Sequence, residues 1–274
     1  SGFMFRRDGV LYRQINKRYQ NQYDTLVSSG LLDDLWKQGL LVKSVEVDIQ
    51  PADKENAYRV IQPEELPFIS YPFEWSFSQY KDAALATLQI QKKAFEKGFI
   101  LKDASAYNIQ FVNGGALLID TLSFDTYIQG EPWVAYRQFC QHFLAPLALM
   151  ALTDIRLSQL MRVYIDGIPL DLASKLLPGS TKLNLGLNLH IHTHAAAQLK
   201  YADDTSAKKQ NKGQMNRNAF LGLVDSLEST IKGLMPKGVK TEWGHYYDDT
   251  NYSDTSLKEK RDLVGKLVAQ ASPK

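Results

Sequence analysis

With 274 residues and 44% hydrophobic composition the chain is a globular protein, long enough for one large domain or two small ones. Its 32 basic and 30 acidic residues leave a formal charge of +2 and so offer no electrostatic case for a nucleic-acid or membrane-surface partner. No apolar run reaches the roughly 20 residues that cross a bilayer, the N-terminus lacks a signal-peptide layout, and a single cysteine, Cys140, excludes an internal disulfide; a cytoplasmic protein is expected.

Residues 3 to 15 (FMFRRDGVLYRQI) predict two strands around an Asp8-Gly9 turn. From Tyr19 to Gln38, apolar residues recur at helical spacing with a break near Ser28-Ser29-Gly30, and the pattern stops at Gly39. Leu40 to Ile49 and Ala57 to Ile61 read as strands. Pro67 to Pro72 reads as an extended crossing, because the residue before each proline is pushed towards β geometry. Ser76 or Ser78 is placed to cap a long helix that ends at Gly98.

The stretch from Phe99 to Phe124 (FILKDASAYNIQFVNGGALLIDTLSF) sets three polar side chains, Asp103, Asn108 and Asp120, around two apolar runs. Ile109 to Val112 and Ala116 to Ile119 predict a hairpin joined by Asn113-Gly114-Gly115. Its closure would bring Asn108 and Asp120 together, with Asp103 on the loop that enters it.

Beyond Phe124 the pattern turns mainly helical, with runs over Val134 to Leu152, Asp154 to Ile165 and Leu170 to Leu177. Cys140 lies within the first run and reads as a buried small hydrophobe. Leu183 to His194 (LNLGLNLHIHTH) alternates as a strand does, which would turn His190, His192 and His194 to one face. Three such imidazoles suit a transition metal, but no carboxylate or cysteine completes the set, and on a helix or loop they would not converge. Thr205 to Arg217 reads as a linker. Asn218 to Met235 reads as an amphipathic helix, Thr241 to Asp254 as an aromatic and acidic segment, and Ser256 to Ala271 as a last helix.

Asn108 follows Asp103 by five positions and Asp120 follows by twelve more. Phosphoryl transfer asks for this chemistry: an oriented acceptor for the attacking hydroxyl and hard oxygen ligands for Mg²⁺. The stretch resembles the protein-kinase-like fold, in particular its aminoglycoside and choline kinase branch, over about residues 3 to 200. In that branch a catalytic Asp and Asn precede a hairpin ending in apolar-Ile-Asp, and then Gly-Asp-Pro and a helix; LLIDTLSF and Gly130-Glu131-Pro132 look similar here. The resemblance implies an α+β, two-lobe fold, with a small sheet-plus-helix lobe over 1–72 and a helical lobe over 73–204. It further implies ATP and Mg²⁺ as cofactors and a small hydroxylated substrate. Asp103 is then the catalytic residue, Asn108 and Asp120 are the metal ligands, and Arg13 meets the phosphates where the family has a lysine, with Asp24 as its candidate partner. The sequence departs from the family at Leu101-Lys102 before the catalytic Asp, at Thr121-Leu122 after the metal Asp, and in having no Gly-rich phosphate loop.

The tail, TEWGHYYDDTNYSD followed by SLKEKRDLVGKLVAQASPK, resembles the connector and first helix that precede the nucleotide strand of class I S-adenosylmethionine-dependent methyltransferases. The whole chain resembles the N-terminal region of bacterial methyltransferases and nodulation-related proteins. This implies that residues 205–274 lead towards a methyltransferase domain in a longer protein. It also raises an alternative, a non-catalytic, pseudokinase-type binding or regulatory module of such an enzyme, which would not itself bind S-adenosylmethionine.

Overall fold

A computed structural model describes residues 1–195, 215–236, 238, 246 and 250–272. Most of the expected linker and of the aromatic and acidic segment lies outside the described residues. The chain forms two compact units, Ser1–Pro236 and Lys237–Lys274.

The first unit is α+β, with a small antiparallel sheet followed by a mainly helical part. Strands β1 (Gly2–Arg7) and β2 (Val10–Asn16) pair about a turn in which both Asp8 (φ 51°) and Gly9 (φ 81°) are left-handed, the geometry of a tight two-residue hairpin. Strands β3 (Ser44–Glu46) and β4 (Ala57–Pro63) complete a sheet of order β1-β2-β4-β3. Helices α1 (Gln20–Ser28) and α2 (Leu31–Lys37) lie between β2 and β3, broken at Gly30 (φ 71°) where the sequence places its break. The strand expected over Leu40 to Ile49 is mostly absent. Ser44–Glu46 pairs with β4, with Val47 N also donating to Val60 O at 3.0 Å, while Leu40 and Val42 exchange backbone hydrogen bonds with Leu118 at 2.9 Å. The alternation was real, but its first half serves a different partner.

Helix α3 (Phe77–Glu96) starts at Ser76, whose hydroxyl accepts from Gln79 N at 3.2 Å while the Gln79 side chain returns a bond to Ser76 N, a reciprocal cap. Its inner face, including Tyr80, Ala83, Ala84, Leu88, Ile90 and Phe95, is sealed in the main core. Burying each such large side chain contributes about 1.5–3 kcal/mol. Strand β5 (Phe99–Leu101) pairs with β8 (Phe124–Thr126), and between them β6 (Ile109–Val112) and β7 (Gly115–Leu118) form the central hairpin. The hairpin loop is Asn113-Gly114 alone (φ 51° and 79°), with Gly115 already in the strand.

The run from Tyr136 to Leu152 is one helical stretch, α4 (Tyr136–Phe139) and α5 (Ala145–Leu152), joined by a π turn over Cys140–Leu144. A 3₁₀ segment over Ile155–Arg162 and helix α6 (Leu170–Leu176) follow. The expected histidine strand is instead helical. It runs from α7 (Leu185–Leu187), capped by Asn184, through a π turn over Asn188–His192. The deciding contacts are Leu187 and Ile191, four residues apart and both buried, whereas Leu183 and Leu185 are exposed. Helix α8 (Arg217–Gly233) packs Phe220 face to face on Phe95, ring centroids 4.0 Å apart. The second unit contains helix α9 (Asp254–Ala271), capped by Ser253 and with no buried residue.

Candidate functional site

The segment from Asp103 to Ser123 is folded by its own backbone bonds into one loop cluster. Lys102 N donates to Ser123 O at 2.8 Å, and Ile119 N donates to Asn108 O at 2.8 Å. The residue before Asp103 is therefore tied to Ser123, three positions past Asp120, and Asn108 is tied to the residue before Asp120. The strand ends that the sequence suggested should meet do meet.

Asp103 is half-buried. Its Oδ1 accepts from Ser105 N at 3.0 Å and from Gln138 Nε2 at 2.8 Å, leaving Oδ2 outside both bonds. Asn108 uses its backbone N–H towards Ser105 and its carbonyl towards Ile119, but its side-chain Nδ2 is buried without a partner. Such an orphan costs about 1–3 kcal/mol unless something else satisfies the amide.

Asp120 is the most engaged of the three. Its Oδ1 meets Arg13 Nη1 at 2.5 Å and accepts from Leu122 N at 3.1 Å, while Oδ2 accepts from Ser123 Oγ at 2.6 Å. The following residue pair is locked in place, because Leu122 is buried with Ile15, Tyr19, Tyr23 and Ile61 in a small cluster beneath the sheet. Arg13 comes from β2, its side chain 15% exposed and its Nε buried without a partner. The structure thus corrects one expectation: Arg13 pairs with Asp120, and Asp24 instead accepts from Tyr58 Oη at 2.7 and 2.9 Å.

More positive charge gathers here. Lys102 Nζ lies 4.2 Å from the centre of the Tyr19 ring. Burial, with help from Arg13 and Arg18, pulls its ammonium below the ordinary lysine value, against Asp125 and Asp120, which hold it up. A cavity of 150 Å³ opens beside Arg13, lined by Leu11, Val42, Ile61, Ile69 and Ile119 among others. That is smaller than the roughly 300–1,000 Å³ of most small-molecule sites.

Hard oxygen donors from Asp120 and Asn108 suit Mg²⁺. The unpaired Asn108 amide fits such a role, since turning it over puts an oxygen in the same buried place. A cation there would share Asp120 with Arg13 or displace it.

Two polar residues that the sequence did not single out complete the cluster. Gln138, on α4, bonds both Asp103 and Ala104 N. His142, in the π turn, places Nδ1 3.4 Å from Ala106 N, and burial pulls its imidazole down to about 4. Both sit four residues apart on one helical face, and polar residues inside an apolar run were the available signal.

In the histidine run, both ring nitrogens of His190 and of His192 are taken by hydroxyl groups. His190 is held between Tyr136 Oη at 2.8 Å and Ser226 Oγ at 2.9 Å, and His192 between Ser174 Oγ at 2.7 Å and Thr181 Oγ1 at 2.9 Å. Among the described residues no group of three or more His, Cys, Asp or Glu is placed to hold a metal ion. Cys140 is fully buried and its thiol is pushed up to about 12 by burial, so it is inert packing. Among the described residues no helix is long and apolar enough to cross a membrane.

No protein-family model matches the chain. Over 222 residues it is 36% identical to the nodulation protein NoeA of Rhizobium meliloti (strain 1021), an alignment that covers 79% of this chain and 46% of that protein. The chain thus spans about half the length of the curated relative it matches, and it is similar to a nodulation protein over most of its own length.

Proposed function

We propose that this chain is a kinase-like phosphotransferase domain, which moves the terminal phosphoryl group of ATP to a hydroxyl of a small molecule. The observation that carries the reading is the state of Asp103: one oxygen is fixed by two donors and the other is left to meet a ligand. An oriented carboxylate of this kind accepts the substrate hydroxyl proton as the hydroxyl oxygen bonds to phosphorus and the bond to the ADP oxygen breaks. Asn108 and Asp120 would hold Mg²⁺, which would supply positive charge against that developing on the phosphate oxygens. Arg13 and Lys102 add fixed positive charge at the same place, and the nucleotide base would enter beside the crossing between Pro67 and Pro72.

The test is calorimetry with ATP at saturating Mg²⁺, followed by transfer assays on small hydroxylated compounds. Asp103→Ala should keep nucleotide affinity and lower the transfer rate by about 10²–10⁴-fold, the usual share of a general base. Absence of any nucleotide binding would sink the reading.

A second reading is favoured by a separate observation, the direct Arg13–Asp120 ion pair beside a cavity of only 150 Å³ that Arg13 lines. In it the chain is a kinase-shaped, non-catalytic module that binds or positions substrate for an attached S-adenosylmethionine-dependent methyltransferase domain in a longer protein. Under that reading Asp103→Ala and Asp120→Ala leave methylation by the longer protein intact.

A further inference from the structure

We propose that Gln138 is the positioning residue of this site, setting the direction of the Asp103 carboxylate with one end of its amide while the other end holds the next peptide unit. For its effect on rate the proposal rests on the phosphotransferase reading; its structural content does not.

Gln138 Nε2 donates to Asp103 Oδ1 at 2.8 Å, and Gln138 Oε1 accepts from Ala104 N at 2.8 Å. Because the amide is rigid, holding Oε1 on Ala104 N fixes where Nε2 sits, and Asp103 cannot swing away without losing the Nε2 bond. The same Oδ1 also accepts from Ser105 N at 3.0 Å. A turn of the carboxylate therefore loses two bonds together, and Oδ2 is the oxygen left to face a ligand.

The helix behind Gln138 is itself pinned. Phe139 and Cys140 are fully buried, and the carbonyl of His142 accepts from Tyr80 Oη at 2.7 Å. His142 Nδ1 reaches Ala106 N at 3.4 Å and Ser105 Oγ at 3.5 Å, so one face of one helical stretch contacts every residue from Asp103 to Ala106. The π turn over Cys140–Leu144 lies at this point, and such turns concentrate at functional sites. A simple loop brace would need only the bond to Ala104. The bond to Asp103 Oδ1 is what marks a positioning role.

Amide exchange can separate the two, because the Ser105 N–H reports where Asp103 Oδ1 is. Exchange is followed by NMR on the whole chain as Gln138→Leu and Gln138→Glu, with Mg²⁺-dependent ATP hydrolysis measured alongside, ATP being the probe. In Gln138→Leu, exchange at both Ala104 and Ser105 should rise more than about tenfold as local protection is lost. In the same variant kcat should fall about 10²-fold, as a misplaced reacting group predicts, with KM for ATP within about twofold. Gln138→Glu keeps the acceptor for Ala104 N but removes the donor. Ala104 should stay protected at pH 7, Ser105 should not, and Ser105 protection should return at lower pH where the introduced carboxyl gains a proton to donate.

His142 faces the same loop with Asp166 near it, so each variant is compared with wild type at every pH. Unchanged Ser105 exchange in Gln138→Leu overturns the proposal, as does an unchanged kcat in a protein that hydrolyses ATP. If the wild type neither binds nor hydrolyses ATP, the phosphotransferase reading falls alone and Ser105 exchange still decides the role of Gln138.

Discussion

Asp120 and Arg13 show how much of this site depends on single side chains. Both are largely withdrawn from water, 21% and 15% exposed, and each is the other's counter-ion at 2.5 Å. Arg13 already has a buried Nε with no partner, so removing the carboxylate strands more of the guanidinium. Asp120→Ala should therefore cost about 1–3 kcal/mol in urea unfolding, below the figure for a fully buried pair because solvent still reaches both groups. The double change Arg13→Met with Asp120→Leu should lie closer to wild type than Asp120→Ala does, since no lone charge remains. Simple additivity of the two single effects would contradict this account. Residue types and spacing were enough to pick out Asp103, Asn108 and Asp120 from the chain. They were not enough for the partner of Arg13: Asp24 lies closer in sequence, but Tyr58 takes it, and Asp120 arrives from more than a hundred residues away.

Among the elements, the β6–β7 hairpin sets the distance between Asn108 and Asp120, and its turn is legible in the sequence because Asn-Gly is what two successive left-handed residues require. The two glycines that follow Asn113 are not equivalent. Gly114 has φ 79° with open space around an added Cβ, so any loss there is purely conformational, whereas Gly115 is in ordinary strand geometry with Val112 O at 3.6 Å. Gly114→Val should lower stability by about 1–3 kcal/mol, the cost of a β-branched residue held in a left-handed well. Gly115→Ala should stay within about 0.5 kcal/mol, as surface changes without strain do. Thermal unfolding of the two variants checks this, and equal losses would place the turn elsewhere. The histidine segment failed the same kind of reading for a physical reason. Leu183 and Leu185 supply the alternation yet are each 87% exposed, and the helical face through Leu187 and Ile191 is the one that found the core.

At the scale of the molecule, the buried imidazoles make stability depend on pH. Burial depresses His142 and His190 to about 4, with Asp103 and Asp166 opposing the shift at His142 and His194 adding to it at His190. The unfolded chain binds these protons near the ordinary value of about 6.5, so stability is complete above that pH and is lost as pH falls towards 4. Each group contributes on the order of 2–3 kcal/mol across that window. The melting temperature should drop steadily from pH 7 to pH 4.5. His142→Asn, which keeps an acceptor near the place of Nδ1 but does not titrate, should flatten the drop. A slope unchanged by that substitution would assign the acid sensitivity to carboxylates.

Taken by itself, the sequence determined most helical periods, the tight turns, a serine cap at Ser76 or Ser78 and the polar set from Asp103 to Asp120, because each rests on contacts within a few residues along the chain. Tertiary structure alone decided the pairing of Arg13 with Asp120, the diversion of Leu40 to Val42 from the sheet onto Leu118, and the seating of His190 and His192 in separate hydrogen-bonded slots. It also decided which face of the Tyr136 to Leu152 helix delivers Gln138 and His142 to the Asp103 loop. These depend on which buried surface each segment meets, and periodicity gives an element's faces without naming the partner that covers them.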